Sequence, residues 1–281
     1  FEMVEAFEYQ DGSEGKIDIG QSFETTYEMF QGKDPRFLAS IYVPGSSLLG
    51  STMQFQRGLI LKDGSKYYAQ SAPGPSYLLE TYIDPETQRK DTIFGKDGGT
   101  YTGDASKTGF NIRKFVNENL KTEAQWDFGK TETSFPIFRL AEVYLNLAEA
   151  AVEMGKYQTE AFEAIKKIRD RAGVVTPFAV VDVEKVRHER QVELAFEGHR
   201  FWDMKRWRIA HLPVDQGGLN GFRGAGLHPF FDLRIRKYVF EVANDLPKRQ
   251  RVFTEKNYYT KFSGNDMNSN PSLIQNPEFL N

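Results

Sequence analysis

The sequence has 281 residues, of which 40% are hydrophobic and 27% charged, and its formal net charge is −3 at pH 7. These proportions are typical of a globular protein with a sizeable core, and the slightly acidic balance lacks the basic footprint of a protein that binds nucleic acid or an anionic membrane face. The chain contains no cysteine, which excludes disulfides, thiolate nucleophiles and cysteine-based metal sites. No run of about 18 apolar residues occurs, so no membrane-spanning helix is predicted.

The first part of the chain mixes short helical and extended patterns. Residues 1–10 (FEMVEAFEYQ) indicate a short helix. Residues 22–30 are predicted to form one helix because three of their aromatic side chains fall on a common side. The Asp34-Pro35 pair ends that helix, and residues 35–43 are predicted to pass from a helix into a strand.

A loop-rich stretch follows, from about residue 41 to residue 135. It is rich in Gly, Pro, Ser, Tyr and Asp, and short alternating strings such as SKYYAQ and LLETYI lie between turn signals. The pattern predicts loop with a few short strands or hairpins, and then a strand in GFNIRKFV at residues 109–116. A loop-rich region of this length is typical of a functional surface or of a poorly ordered one.

Aromatic side chains in polar surroundings are the candidate ligand contacts of this stretch. A sugar ring has an apolar face that a flat aromatic side chain covers, and a rim of hydroxyls that neighbouring polar groups satisfy. Tyrosine suits both needs, because its ring stacks and its hydroxyl forms hydrogen bonds. A tyrosine packed under a loop would give the same pattern. The candidates are Tyr67, Tyr68, Tyr77, Tyr82, Tyr101 and Trp126.

Residues 138–208 form the predicted helical core. A first helix at residues 138–154 is apolar nearly all round and is therefore predicted to be buried on most sides. A second helix is predicted to start at Thr159, a good N-cap residue, and to stop at Gly173. An apolar helix, a Gly-Lys turn and an amphipathic partner predict an antiparallel helical hairpin similar to one tetratricopeptide-type unit.

A third, charge-rich helix is predicted to begin at Asp182. Its glutamates recur every fourth residue and share one face: Glu189, Glu193 and Glu197. We favour a network of ion pairs that docks this helix on its neighbours over a carboxylate cluster for metal or acid–base chemistry. The candidate partners are Arg187, Arg190 and Arg200. A zinc-protease helix is rejected because Val192 stands where His188 would need a second histidine. Trp202 and Trp207 are predicted to lie in the core.

The last segment, residues 209–281, is predicted to be loop with short strands. Residues 211–235 are rich in Gly and Pro and are predicted to be loop. Residues 236–242 (RKYVFEV) alternate and predict a strand, which KNYYTKF at residues 256–262 is expected to pair with.

Motifs of reaction chemistry do not emerge from the sequence. It contains no glycine-rich phosphate loop and no Gly-x-Ser-x-Gly elbow. Asp97 and Asp104 are interpreted as turn residues rather than a calcium loop. A glycosidase pair of carboxylates is defined by a separation in space, so the sequence leaves it open. No catalytic residue, metal or cofactor is expected.

Several long strings resemble one family. FRLAEVYLNLAEA, IRDRAG and ERQVELAFEGHRFWDMKRW occur in this order, between DPRFLASIYVPG and NPSLIQNPEF. Together they resemble the C-terminal region of the SusD/RagB family of surface nutrient-binding lipoproteins of Bacteroidetes, over nearly the whole chain. The resemblance implies a mostly α, SusD-like fold, with a tetratricopeptide-type helical scaffold, long loops and small β-hairpins. It also implies that residues 1–281 are the C-terminal portion of a longer protein, whose N-terminal part is absent here, and that residues 41–135 face the ligand.

The same resemblance implies a function without covalent chemistry. The protein is expected to capture an oligosaccharide at the surface of the cell outer membrane and pass it to a SusC-like TonB-dependent transporter. Contact with the membrane is expected only through a lipid anchor outside this chain, and no nucleic-acid partner is expected. Three alternatives stay open: a peptide-binding member of the family, a glycoside hydrolase using loop carboxylates, and an intracellular helical-repeat adaptor for protein partners.

Overall fold

The computed structural model describes residues 1–68, 81–97, 106–119, 133–243 and 250–280. The chain divides into two compact units: unit 1 is Phe1–Glu197 with Gly224–Leu246, and unit 2 is Gly198–Arg223 with Pro247–Asn281. The α-helices of the described residues are α1 (Glu2–Ala6), α2 (Pro35–Ser40), α3 (Leu140–Glu153), α4 (Gln158–Ala172), α5 (Val183–Glu193), α6 (His199–Arg206) and α7 (Gly264–Ser269). Their strands are β1 (Ser22–Phe23), β2 (Ile41–Tyr42), β3 (Ser47–Leu48), β4 (Ser51–Thr52), β5 (Gly58–Ile60), β6 (Lys66–Tyr68), β7 (Thr81–Ile83), β8 (Lys90–Thr92), β9 (Asn111–Ile112), β10 (Gly226–Asp232) and β11 (Lys237–Ala243).

The predicted helical hairpin is present as α3 and α4. Alanines on both helices are buried where the two meet, and their small side chains allow the backbones to approach closely: Ala148, Ala151, Ala161 and Ala164. Helix α4 ends at Gly173 as predicted, in the left-handed conformation that glycine adopts readily. Its N-cap is Tyr157 rather than Thr159, because the turn after α3 is shorter than predicted.

Helix α3 is buried on one side only, which corrects the prediction that it is buried on most sides. Leu145, Ala148 and Ala151 face the hairpin core. Other apolar side chains of α3 and of the segment before it remain exposed: Phe135, Ile137, Phe138, Leu140, Val143 and Leu147. An apolar pattern on all sides of a helix predicts burial on all sides. The described elements of this chain, however, cover only one face of α3.

Helix α5 begins as predicted and ends early. The carboxylate of Asp182 caps it by accepting a hydrogen bond from the Lys185 amide. The helix ends at Glu193, and Gly198, with φ of 81°, precedes the start of α6. The Arg/Glu-rich segment is therefore not one continuous helix.

A five-stranded sheet in unit 1 has the strand order β1-β11-β10-β5-β6. The β10–β5 pair is parallel and the other pairs are antiparallel. Strand β11 matches its prediction, but β10 lies in a stretch that was predicted to be loop. Among the described residues, 32% are helical and 16% lie in strands, which confirms the mostly α prediction only in part.

Three further segments differ from their predictions. Residues 22–30 contain β1 and a short 3-10 helix instead of one helix, because Ser22 and Phe23 pair with β11. The strand predicted at residues 109–116 shortens to β9, which pairs with β2. Residues 255–258 form a 3-10 helix, whereas β11 pairs with β10 and β1.

A core of phenylalanines joins the sheet of unit 1 to its helices. The ring of Phe30 lies 5.9 Å from each of three other rings, those of Phe37, Phe110 and Phe240. Helix α5 adds Val192, and α1 adds Val4, to the same buried cluster. Aromatic pairs at this distance add about 0.5–1.5 kcal/mol each beyond the burial of their surface.

A buried lysine closes the N-terminal part of this core. Lys33 is 1% exposed, and its ammonium group donates to the backbone carbonyls of Val4, Phe7 and Gly15. Burial lowers the pKa of Lys33 to about 8, against the opposing effect of the nearby Glu5 and Asp34 carboxylates. The lysine thus ties α1 and the loop after it to the rest of unit 1.

Unit 2 has a small core of its own around Met204, Ala210 and Phe253. Trp202 does not belong to this core: it is 65% exposed, which corrects its sequence assignment. Trp207 is half-buried.

Candidate functional site

Two of the predicted ligand-contact tyrosines lie side by side in unit 1. Tyr67 is on β6, the edge strand of the sheet, and Tyr82 is on β7 of the small β7–β8 hairpin. Their ring centroids are 6.0 Å apart with the planes tilted by 54°. Both rings pack against a buried cluster that includes Leu59 and Phe94. We call Tyr67 and Tyr82 the tyrosine pair.

The tyrosine pair keeps part of its surface open. Both side chains are half-buried, so each ring has a face in the core and a part in solvent. Among the described residues, neither hydroxyl takes part in a hydrogen bond. The pair therefore offers an apolar surface with two available hydroxyls, which is the combination that a sugar ring requires.

Charged groups flank the tyrosine pair on the hairpin. Asp91, which is the β-pair partner of Tyr82, accepts two hydrogen bonds from the Arg236 guanidinium at 2.8 and 2.7 Å. Asp84 follows β7, and hydrogen bonds from the Thr87 amide and from Lys62 lower the pKa of Asp84 to about 2. Both carboxylates are buried, and they hold the cationic side chains of Lys62 and Arg236 in place.

The remaining candidates are Tyr68, Tyr77, Tyr101 and Trp126. Tyr77, Tyr101 and Trp126 lie outside the described residues. Tyr68 lies on β6, where its backbone pairs with Gly58. Strands β6 and β7 flank the segment that carries Tyr77, so that predicted contact belongs to the same stretch of chain as the tyrosine pair.

Unit 2 carries an aromatic surface that includes Trp202, which was predicted from the sequence to lie in the core. Phe201 and Trp202, at the start of α6, are 46% and 65% exposed, and their ring centroids are 5.4 Å apart. Neighbouring helical residues point about 100° apart, but this spacing does not tell which of them another element covers. On this short helix the buried positions belong to Asp203 and Met204, and Phe201 and Trp202 fall outside them.

The three regularly spaced glutamates, two on α5 and Glu197 just after it, are engaged in ion pairs, as predicted. Glu193 contacts the guanidinium groups of Arg36, Arg139 and Arg171 at 2.9, 2.5 and 2.7 Å. Glu189 contacts Arg36 and Arg169, and Glu197 contacts Arg139 and Lys114. These cations come from α2, α4 and the loops, so the network docks α5 on its neighbours. Of the arginines proposed from the sequence, Arg187 contacts Glu184, Arg190 contacts Asn146 and Glu142, and the guanidinium of Arg200 lies 5.8 Å from the ring of Trp207.

Burial and ion pairing shift the pKa values of these carboxylates in opposite directions. Burial raises the pKa of Glu193, but hydrogen bonds from Arg139 and Arg36 outweigh it, so the net pKa is below its ordinary value. The pKa of Glu197 is lowered in the same way by Arg139 and Lys114. Both groups are therefore ionised in their buried positions and act as structural anions.

The comparisons with known proteins address the identity of the chain. A model of the SusD family matches residues 1–279. The chain belongs to the SusD family. A SusD-like protein of Bacteroides fragilis superposes with a TM-score of 0.61 at 24% identity, over 98% of this chain and 45% of its own. A second structure from that species, described as a SusD-like carbohydrate binding protein, gives a TM-score of 0.50 at 26% identity, over 75% of this chain and 35% of its own.

Two SusD-like proteins of Formosa agariphila are similar over shorter stretches. SusD-like protein P2 is 31% identical over 101 residues, which are 32% of this chain and 20% of that protein. SusD-like protein P25 is 39% identical over 80 residues, which are 26% of this chain and 15% of that protein. The chain thus matches less than half the length of these SusD-like relatives. Among the described residues, no helix combines the length and apolar character needed to cross a membrane.

Proposed function

We propose that this chain is part of a non-enzymatic glycan-binding protein of the outer-membrane surface. The observation that carries the proposal is the match to the SusD family over residues 1–279, together with a 26% identical relative described as carbohydrate binding. In this proposal the protein is held at the cell surface by a lipid anchor outside this chain. It captures an oligosaccharide and passes it to a SusC-like TonB-dependent transporter.

The tyrosine pair is the proposed contact for sugar in unit 1. Its rings have a packed side that fixes their position and an open side for a ligand, so little side-chain entropy is lost on binding. The partly exposed cations Lys62 and Arg236, which pair with the buried Asp84 and Asp91 of the hairpin, supply donors for sugar hydroxyls. Tyr68, Tyr77, Tyr101 and Trp126 are proposed as further contacts of the same loop-rich segment.

A glycan array followed by calorimetry tests this function. The protein is expected to bind at least one oligosaccharide class, and Tyr67→Ala or Tyr82→Ala is expected to weaken that binding by roughly tenfold, equivalent to about 1.4 kcal/mol. Tyr67→Phe and Tyr82→Phe keep the packed rings and separate loss of the hydroxyl from loss of the ring. Tyr157→Ala, at an exposed tyrosine of the helical hairpin, is the matched control.

The outcomes of these experiments distinguish the alternatives. Binding of peptides without any glycan would replace oligosaccharide by peptide as the ligand. Release of reducing sugar from a polysaccharide, abolished by one Asp or Glu substitution, would make the protein a hydrolase. Copurification with a TonB-dependent transporter from the outer membrane is the expected result for the partner. Copurification with cytosolic proteins instead would support the adaptor alternative.

A further inference from the structure

An aromatic row runs through unit 2, with two exposed rings at one end, a buried ring in the middle and a half-buried ring at the other end. The ring of Trp202 lies 5.4 Å from that of Phe201, which lies 6.4 Å from Phe253, which in turn lies 5.1 Å from Tyr258. We call these four residues the aromatic row. Tyr258 is held in place because its hydroxyl accepts a hydrogen bond from the His211 amide. The exposed members, Trp202 and Phe201, are therefore braced from behind by packed rings.

A cation lies against each end of the aromatic row. The ammonium group of Lys205 is 5.5 Å from the centroids of both Phe201 and Trp202. The guanidinium of Arg208 is 4.6 Å from the ring of Tyr258 and 5.3 Å from that of Tyr259. In the part of the chain that the structure describes, neither Lys205 nor Arg208 forms an ion pair with a carboxylate. Two positive charges are thus available beside the rings.

The charge of the chain is divided unequally between the two units. Unit 2 has ten lysines and arginines, eight of them in described positions, and five aspartates and glutamates. Its formal net charge is therefore +5, whereas unit 1 has 26 lysines and arginines against 34 aspartates and glutamates. A unit of net positive charge in a chain of net negative charge favours an anionic ligand at that unit.

We propose that unit 2 binds acidic glycans, whose sugars carry carboxylate or sulfate groups, along the aromatic row. The C–H face of a sugar stacks on Trp202 and Phe201, and the acidic group pairs with Lys205. Arg208 and the 38% exposed Tyr259 provide the same combination for another sugar of the polymer. This inference rests on the proposed function, and adds to it a ligand class and a contact surface separate from the tyrosine pair.

Calorimetry with matched acidic and neutral oligosaccharides tests the inference on the full chain. The probes are a galacturonate oligomer, a sulfated dextran oligomer and the same dextran oligomer without sulfate. The acidic probes are expected to bind at least roughly tenfold more tightly than the neutral one, and the difference is expected to shrink at high salt because exposed charges are screened. A preference between the two acidic probes identifies the acidic group.

Variants of α6 locate the binding surface. Trp202→Ala and Lys205→Gln are each expected to weaken binding of the acidic probes by roughly tenfold, while Trp202→Phe retains a flat ring and most of the affinity. Lys261→Gln removes the same charge from an exposed lysine of unit 2 outside the row and is expected to change affinity less than twofold, which makes it the control. Trp202 is largely exposed, so its truncation leaves the core of unit 2 intact; thermal unfolding of each variant checks this.

Four results would overturn the inference. They are equal affinity for acidic and neutral probes, equal effects of Lys205→Gln and Lys261→Gln, an unchanged affinity in Trp202→Ala, and binding to phosphatidylglycerol vesicles without binding to acidic glycans. If the protein binds glycans only through the tyrosine pair, the inference fails while the proposed function stands. If it binds no glycan at all, the proposed function fails as well.

Discussion

The buried carboxylate of Glu193 provides the sharpest test of how α5 is held. It is 3% exposed and contacts the guanidinium groups of Arg36, Arg139 and Arg171. Glu193→Gln preserves size and shape but removes the negative charge that these cations share. Loss of one partner of a buried ion pair costs about 3–5 kcal/mol, and we expect about 3 here because Arg36 and Arg139 retain other carboxylates.

Urea and thermal unfolding measure the effect of Glu193→Gln. A loss of about 3 kcal/mol corresponds to a melting temperature lowered by roughly 6–12 °C for a protein of this size. Glu184→Gln is the matched control, because the side chain of Glu184 on the same helix is 83% exposed and contacts Arg187 at 3.4 Å. The control is expected to change the free energy of unfolding by less than about 0.5 kcal/mol. Equal effects of the two substitutions would refute the reasoning.

Three further predictions concern the fold. Lys33→Met leaves buried carbonyls unpaired and is expected to lower the free energy of unfolding by about 2–3 kcal/mol in urea titrations. An unchanged urea concentration at half-unfolding would contradict this. Because burial lowers the pKa of Lys33 to about 8 from an ordinary value of 10.5, the unfolded chain binds more protons than the folded one between these pH values. The free energy of unfolding of the wild type, relative to that of Lys33→Met, should therefore rise with pH across that window. The same pH dependence in both proteins would argue against this. Gly109→Ala places a Cβ atom 2.0 Å from a backbone carbonyl at a φ of 81° and is expected to cost about 2 kcal/mol, whereas Gly155→Ala, with no atom within 4 Å, should cost less. Since the pKa values of Glu193 and Glu197 are lowered, the stability from their ion pairs is present above the unfolded carboxyl pKa of about 4.3 and is lost as pH falls through the lower folded values. Acid unfolding of Glu193→Gln should accordingly show a weaker pH dependence than that of the wild type.

Sequence patterns predicted an element correctly where nearby residues alone determine its structure. The helical hairpin follows from apolar periodicity, and its end follows from Gly173. The start of α5 follows from the cap at Asp182, and the ion pairing of its glutamates follows from their spacing. In each of these cases the determining residues lie within a few turns of the same helix.

The elements that were predicted wrongly are those whose structure depends on contacts with residues far away in the chain. Strand β10 is almost wholly buried between β11 and β5, so it shows no alternation that would distinguish it from a Gly- and Pro-rich loop. Residues 22–30 have helical spacing, yet pairing of Phe23 with Tyr238 draws their start into the sheet. The exposure of α3 and of Trp202 likewise depends on which elements cover them, which no local pattern contains.

The candidate residues of the site were named from the sequence, but their arrangement in space was not. Tyrosines in a polar, turn-rich stretch pointed to Tyr67 and Tyr82, and the structure brings these two together at 6.0 Å. Their pairing depends on the meeting of β6 with the β7–β8 hairpin over a shared buried cluster. The bidentate contact of Arg236 with Asp91 joins residues far apart in the chain, so spacing alone could not predict it.

The order in which the strands occur along the chain has a consequence for biosynthesis. Strands β10 and β11 occupy the middle of the five-stranded sheet, although more than 220 residues precede them. The two units are also interleaved, since each resumes after a stretch belonging to the other. Strands β1 and β5 therefore lack their partners β11 and β10 until residues 226–243 have left the ribosome, and their pairing edges stay open until then. Because open strand edges pair readily with other chains, we expect these edges to need protection during synthesis.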